Sequence, residues 1–276
     1  MLNLLLAIAS SALVSLTMRL SGTKVKNTVP MLMVNYLMCA GLSWAFTGFA
    51  NPWAGLLTAC LSAVNGILYL AGFVLLQYNI RRNGVVLSST FIKLGLLVSM
   101  VVSVVFFGER PGAAQWLGFV LAIAAIVLMN FRPGEEKAGS TVFLLLLLLA
   151  GGGGDAMSKF FEVLGDPAFS GQFLLGTFCV AGILCALMTL SGKDRSIGKW
   201  EILFGLLIGI PNFFSAKFLL GALEDLAAVI VYPVYSVATI LTVTLAGVIF
   251  FREKLETRQW IALGIILLAL ALLNLG

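Results

Sequence analysis

The chain has 276 residues, 61% of them hydrophobic and 11% charged, with a mean hydropathy of +1.08 and a formal net charge of +5. Soluble globular chains carry roughly 45–50% apolar and about 25% charged residues, so this composition excludes a soluble enzyme or binding module. There is no histidine, which removes His-based metal sites, Ser-His-Asp triads and histidine proton relays.

Apolar runs of the length a bilayer requires, about 20 residues per helix, follow one another to the last residue. They predict an all-α integral membrane protein with ten transmembrane helices, over residues 2–20, 29–49, 53–80, 85–107, 113–131, 141–163, 169–191, 199–222, 226–251 and 258–275. The first run lacks a basic leader and a small-residue cleavage site, and reads as a retained helix and not a signal peptide. Helix breakers mark the connections: Ser21-Gly22, Asn51-Pro52, Asn83-Gly84, Arg110-Pro111-Gly112, Arg132-Pro133-Gly134, Asp166-Pro167 and Ser191-Gly192. The longest polar connection, 132–140, separates two halves of five spans each, 1–135 and 136–276. Cys39, Cys60, Cys179 and Cys185 fall inside apolar runs with no Cys-x-x-Cys pair, and read as packing residues.

The second half repeats the first. Phe106-Phe107-Gly108-Glu109-Arg110, Gln115-Trp116 and Asn130 return as Phe250-Phe251-Arg252-Glu253-Lys254, Gln259-Trp260 and Asn274, at a constant offset of 144 residues. The same offset sets Gly84 against Ala228 and Phe91 against Tyr235, and brings Gly66 beside Pro211. Two copies of a unit with an odd number of spans, joined head to tail, must face opposite ways in the bilayer. The expected architecture is therefore an inverted repeat of two five-helix units, with the substrate path at their interface. The loop charges Lys24, Lys26, Arg81, Arg82, Arg132, Lys137, Lys193, Arg195, Arg252, Lys254 and Arg258 stand on one side against Arg110 on the other. Positive charge favours the cytoplasmic side, which puts both termini outside.

Residues 84–130 and their echo 228–274 resemble the drug/metabolite transporter superfamily, and more narrowly its ten-helix EamA-type members. The resemblance rests on Phe-Phe-Gly-Glu109-Arg110, a short turn, and Gln115-Trp116 with Gly118 opening a helix of small residues; the second copy has Glu253-Lys254, Gln259-Trp260 and Gly264. It implies exporters and importers of amino acids and other metabolites, sugar-nucleotide carriers, or carriers of lipid-linked sugars. Two features depart from it. Members often carry a proline early in both the fourth and ninth helices, and here Pro233 is matched by Ser89. Their termini are commonly cytoplasmic, opposite to the side that the loop charges favour.

An ionisable side chain deep in a bilayer costs roughly 2.5–3.5 kcal/mol even on the lenient insertion scale, unless it is paired or hydrated. The candidates are Lys93 near the middle of the fourth span, Asp155 past the middle of the sixth, and Lys159 and Lys217 nearer helix ends. Asp155 and Lys159 stand at i, i+4 and can pair on one helix; alternatively Asp155 and Lys93 face a common cavity and substrate bridges them. Gly151, Gly152, Gly153 and Gly154 precede Asp155. They permit either close helix approach or an unwound backbone that meets substrate. Asn65 with Gly66, and Pro211 with Asn212, lie at matching depths in the halves and mark either simple kinks or bends that gate access. Tyr232, Tyr235, Ser236 and Thr239 share a helix face beside Pro233, as a packing face or as a substrate clamp. Glu109, Gln115, Glu253 and Gln259 read as helix caps.

These residues point first to a secondary transporter of a small organic metabolite, an amino acid or other carboxylate-bearing compound, working by alternating access. Lys93 and Lys217 favour an anionic group, and Asp155 either holds an amine or carries the coupling proton. One alternative is a carrier (flippase) of lipid-linked headgroups, using Arg81, Arg82, Arg252 and Lys254; another is a transporter of a cationic or nucleobase-like metabolite. Neither catalysis, cofactor, metal nor nucleic acid is expected. The expected partners are a small-molecule substrate and the lipid bilayer of a plasma membrane, the inner membrane in a bacterium. The two halves form an internal pseudo-dimer, so a monomer is expected to enclose the path.

Overall fold

The computed structural model describes residues 1–47, 55–83, 88, 91–130, 141–192, 197–252 and 255–273. Gly84, Ser89, Arg132, Lys137, Lys193, Arg195, Glu253, Lys254 and Asn274, with the Asn51-Pro52 and Pro133-Gly134 breakers, lie outside the described residues. Among the described residues every regular element is helical: α1 Leu2–Ser21, α2 Thr28–Thr47, α3 Gly55–Asn83, α4 Leu96–Phe107, α5 Ala113–Asn130, α6 Thr141–Leu164, a 3-10 turn Pro167–Phe169, α7 Ser170–Ser191, α8 Lys199–Asp225, α9 Ala228–Phe251 and α10 Thr257–Leu273. Seven of these are long and apolar enough to cross a membrane, namely α1, α2, α3, α6, α7, α8 and α9. Phe91–Phe107, Ala113–Leu128 and Thr257–Leu273 are shorter apolar helices. The fourth span is interrupted: helical residues 91–93 are followed by a turn at Leu94 and Gly95 before α4 begins.

The chain forms two compact units, one of Met1–Leu70 with Met157–Glu224, the other of Ala71–Ala156 with Asp225–Gly276. Each draws helices from both sequence halves. In the first unit α2 packs along α7, its repeat counterpart. Tyr36 and Phe178 stack at 6.4 Å, and Phe161 lies on Phe173 at 4.4 Å and 12°. Glycines bring helices close: a Cβ on Gly66 of α3 would stand 2.6 Å from the Thr177 carbonyl oxygen of α7, and one on Gly209 of α8 would stand 2.9 Å from the Asn35 carbonyl oxygen of α2. The two crossings, α3 on α7 and α8 on α2, are repeat counterparts.

In the second unit α10 packs along α5, and α9 on α4, again pairing counterparts. The 144-residue echo extends here to individual atoms. Gly108 (φ 66°) and Arg252 (φ 54°) close α4 and α9 in the same left-handed conformation, and a cap N–H returns to the carbonyl of Ser103 in one and of Gly247 in the other. Three residues into the next helix, Gln115 Oε1 accepts from the Gly112 N–H and Gln259 Oε1 accepts from the Glu256 N–H, both at 2.9 Å. This is the reach-back half of a capping box, which satisfies one of the orphan donors at a helix start. The Glu109 carboxylate caps a different helix: its two oxygens accept from the Ala228 and Val229 N–H groups at 3.0 and 2.9 Å. An anion is favoured at that N-terminus by the helix dipole.

Candidate functional site

Two groups of candidate residues emerge, one in each unit. In the second unit the chain break at Leu94 and Gly95 lies against the start of the glycine run. A Cβ on Gly95 would stand 2.6 Å from the Gly152 nitrogen, and one on Gly152 would overlap the Gly95 carbonyl oxygen; one on Gly151 would meet Ile92 Cγ1 at 3.2 Å. α6 remains helical through all four glycines, 151–154. The unwinding considered for them is not seen. The facing segment tightens instead to i→i+3 hydrogen bonds, Gly95 N–H to the Ile92 carbonyl at 3.2 Å, Leu97 N–H to that of Leu94 at 2.9 Å and Val98 N–H to that of Gly95 at 2.8 Å, and the glycines admit its backbone. Lys93 sits at this break, half-buried. Asp155 is one turn beyond the contact, also half-buried, and its carbonyl oxygen accepts from the hydroxyl of the fully buried Tyr232. Among the described residues neither Lys93 nor Asp155 forms a salt bridge, so the two side chains do not pair directly here.

α9 runs unbroken past Pro233. Tyr235 and Ser236 are half-buried on its wall, and the buried Thr239 Oγ1 has no hydrogen-bond partner among the described residues. Tyr232 thus fastens α9 to α6, which gives it a structural task besides any contact with substrate.

In the first unit Lys159 pairs with Glu162 at 2.6 Å, three residues along its own helix. The i, i+4 spacing to Asp155 is thus matched by an acid on the same face one turn away. The two sequence-marked asparagines both reach across to a neighbouring helix. Asn65 Nδ2 donates to Thr177 Oγ1 at 3.3 Å, and Asn212 Nδ2 donates to Asn35 Oδ1 at 3.2 Å. Asn212 thus directs one of its two amide N–H groups to α2, directly after Pro211. Cys39 of α2 donates to the Gly209 carbonyl at 3.3 Å, just before the proline.

A cavity of about 450 Å³ opens within the same unit, where α1 and α7 begin and α2 and α8 end. Lys217 lines it together with Asn3, Ser43, Thr47 and Gln172 on the polar side and Phe46, Phe213 and Phe218 on the apolar side. The Lys217 Nζ lies 4.1 Å from the Phe46 ring centroid and 5.9 Å from that of Phe213. Sequence reading singled out Lys217 but none of the other lining groups. Ser43 and Thr47 at i, i+4 late in α2, and Gln172 in the first turn of α7, were the available signal. At the other end of this unit Lys24 and Lys199 sit over the Trp200 ring at 4.4 and 5.5 Å. The Glu201 carboxylate accepts there from the Lys26 and Asn27 N–H groups at 2.9 and 3.4 Å, which ties the α1–α2 connection to the start of α8.

The EamA-like transporter family matches the chain twice, over residues 1–131 and 138–275. An uncharacterized protein of Haemophilus influenzae is 23% identical over 280 residues, a stretch spanning 96% of this chain and 94% of that protein. A solved crystal structure of another protein superposes with a TM-score of 0.78 at 16% identity, covering 99% of this chain and 96% of the other. That likeness is one of fold.

Proposed function

Because the chain belongs to the EamA-like transporter family, and so is a multi-pass membrane transporter, we propose that it moves a small carboxylate-bearing metabolite by alternating access. The moving parts are two inverted five-helix repeats, 1–135 and 136–276, ten transmembrane helices in all, in a plasma membrane. Lys93 receives the carboxylate. The observation that carries this reading is a half-buried lysine at a helix break, with no counter-ion among the described residues. A cation at bilayer depth needs a carboxylate or water, and a broken helix in a transporter is where backbone groups meet substrate. The tightened turn at Leu94 and Gly95 stands directly after the lysine. Asp155, one turn past the same contact, serves as the protonatable coupling group, and Tyr232, Tyr235 and Ser236 line the approach from α9. Asn65 beside Gly66, Asn212 beside Pro211 and, separately on α9, Pro233 mark the bends at which the repeats move.

The test is uptake into proteoliposomes of radiolabelled amino acids and organic acids, screened with and without an imposed pH gradient. Lys93→Met is expected to lower uptake of the transported acid at least tenfold, Lys93→Arg to keep a measurable fraction, and Asp155→Asn to lose the gain from the gradient. Full uptake by Lys93→Met removes the proposal.

A further inference from the structure

We propose that the cavity of the first unit is a binding site for an amphipathic monocarboxylate, whose carboxylate sits at Lys217 and whose apolar body lies against Phe46, Phe213 and Phe218. Its role in transport rests on the reading above, but binding stands on the first unit alone, since Lys93 belongs to the second.

Four observations converge. The volume, about 450 Å³, falls within the roughly 300–1,000 Å³ of small-molecule pockets. The Lys217 ammonium is held 4.1 Å over the Phe46 ring, and among the described residues it has neither a salt-bridge nor a hydrogen-bond partner. A ring face attracts a cation without occupying its three N–H donors, so those donors remain for a ligand. Ser43, which lines the cavity at 1% exposure, has a hydroxyl with no partner among the described residues. Burying a hydroxyl unpaired costs about 1–3 kcal/mol, and a ligand oxygen would relieve that cost. Finally, Ser170, Gly171 and Gln172 open the 22-residue helix α7 at the cavity wall, where the helix dipole favours negative charge.

The rings beside the ammonium set the rest of the ligand. Phe46 stacks on Phe213 at 5.5 Å, and Phe214 on Phe218 at 5.7 Å, an aromatic wall suited to a ring or short chain. Glu224, exposed at the rim, is the one lining acid, and it is the reason for testing an amine of the same shape.

The experiment measures the melting temperature of the full-length protein in neutral detergent, titrated with 3-phenylpropionate and, separately, with 3-phenylpropylamine. A ligand bound only by the folded state raises the melting temperature by mass action. For a chain of this size, about 3 °C or more is expected at saturation with the acid; the amine is expected to give none. Lys217→Met is expected to abolish the shift and Lys217→Arg to keep at least half of it. Should Lys217→Met fail to fold, Ser43→Ala decides, with a several-fold weaker apparent affinity expected and an unchanged affinity overturning the proposal. No shift in the wild type, an equal shift with the amine, or a shift that survives Lys217→Met also overturns it. A shift lost in Lys93→Met and kept in Lys217→Met rejects this site while leaving the Lys93 reading standing; loss in both rejects a site self-contained in the first unit. Wild-type uptake by Lys93→Met would reject the transport reading without touching the binding result.

Discussion

Two helix crossings, one in each compact unit, are held by different chemistry. In the unit of Met1–Leu70 and Met157–Glu224, amide side chains cross between helices: Asn65 to Thr177 and Asn212 to Asn35, each beside a glycine or proline. In the other unit the tightest contact is backbone on backbone, Gly95 against Gly152, and the helix ends are closed by fixed acceptors on Glu109, Gln115 and Gln259. The difference matters for how each crossing answers to substitution. An interhelical hydrogen bond in a membrane protein is worth only about 0.6 kcal/mol on average, because each group finds other partners when released. A glycine contact has no such substitute, since any added atom must displace backbone. The Asn212–Asn35 crossing can thus exchange partners and the Gly95–Gly152 crossing cannot; the first unit holds fixed crossings as well, Gly66 on the Thr177 carbonyl and Gly209 on that of Asn35.

Gly152→Ala tests the rigid side and carries the largest expected effect. The new Cβ would overlap the Gly95 carbonyl oxygen, a backbone atom that cannot rotate away. Overpacking of this kind costs typically 1–3 kcal/mol, against about 1 kcal/mol gained in helix propensity. An overlap with a backbone atom belongs at the upper end of that cost, so the net expectation is a loss of about 2 kcal/mol of stability, read by thermal or denaturant unfolding in detergent. Gly151→Ala sharpens the point: its Cβ would meet the Ile92 side chain at 3.2 Å and the Ile92 carbonyl oxygen at 3.3 Å, tight without overlap, so a smaller loss, under about 1 kcal/mol, is expected. Gly41→Ala, with nothing within 4 Å, is the control. Equal losses at Gly151 and Gly152 would mean that the contact is not limited by the backbone.

The repeat was legible because it lives in local sequence. A left-handed helix end, a glutamine three residues into the next helix and an aromatic pair before the turn are short-range features, and the 144-residue offset locates both copies. The burden on Lys93 was legible too, since a charge within an apolar run is visible without a fold. The position of the break was not. Four glycines raise the cost of α6 as an isolated helix, so sequence alone favours the break there. The packing of Gly95 on Gly152 and of Ile92 on Gly151 reverses that order, and no local pattern reports which of two facing segments gives way. Side-chain partners were equally hidden. Asp155 and Glu162 both lie within reach of Lys159 by spacing, and Asn212 had a backbone acceptor nearby in principle; geometry assigns Lys159 to Glu162 and Asn212 to Asn35. The cavity was hardest to foresee because its lining comes from four helices distant in sequence.

Asn212→Ala tests the adjustable side. Its side chain is half-buried and supplies one hydrogen bond to Asn35 Oδ1, which also lies 3.9 Å from the Cys39 thiol. A loss of about 0.6 kcal/mol is expected, and no more than about 1.7, with a coupling of similar size in a double-mutant cycle with Asn35→Ala. A loss matching that of Gly152→Ala would erase the contrast between the crossings and make the asparagine pair a fixed pin.

The smallest effect separates the two copies of one device. Gly108 and Arg252 occupy the same left-handed corner, 144 residues apart, yet only one is a glycine. For a residue with a Cβ that conformation costs about 1–2 kcal/mol, while glycine in its place adds about 0.4–1 kcal/mol of unfolded-chain entropy to be lost on folding. Arg252 is exposed, so its removal sacrifices little packing. Arg252→Gly is therefore expected to stabilise the protein by about 0.5 kcal/mol, a rise of roughly 1–2 °C in melting temperature. Gly108→Ala, the mirror experiment, is expected to destabilise by about 1 kcal/mol. If Arg252→Gly instead lowers the melting temperature, the guanidinium contributes more than the strain costs. The second copy would then have traded local comfort for a charge at the helix end, a trade that the first copy, with Gly108, does not make.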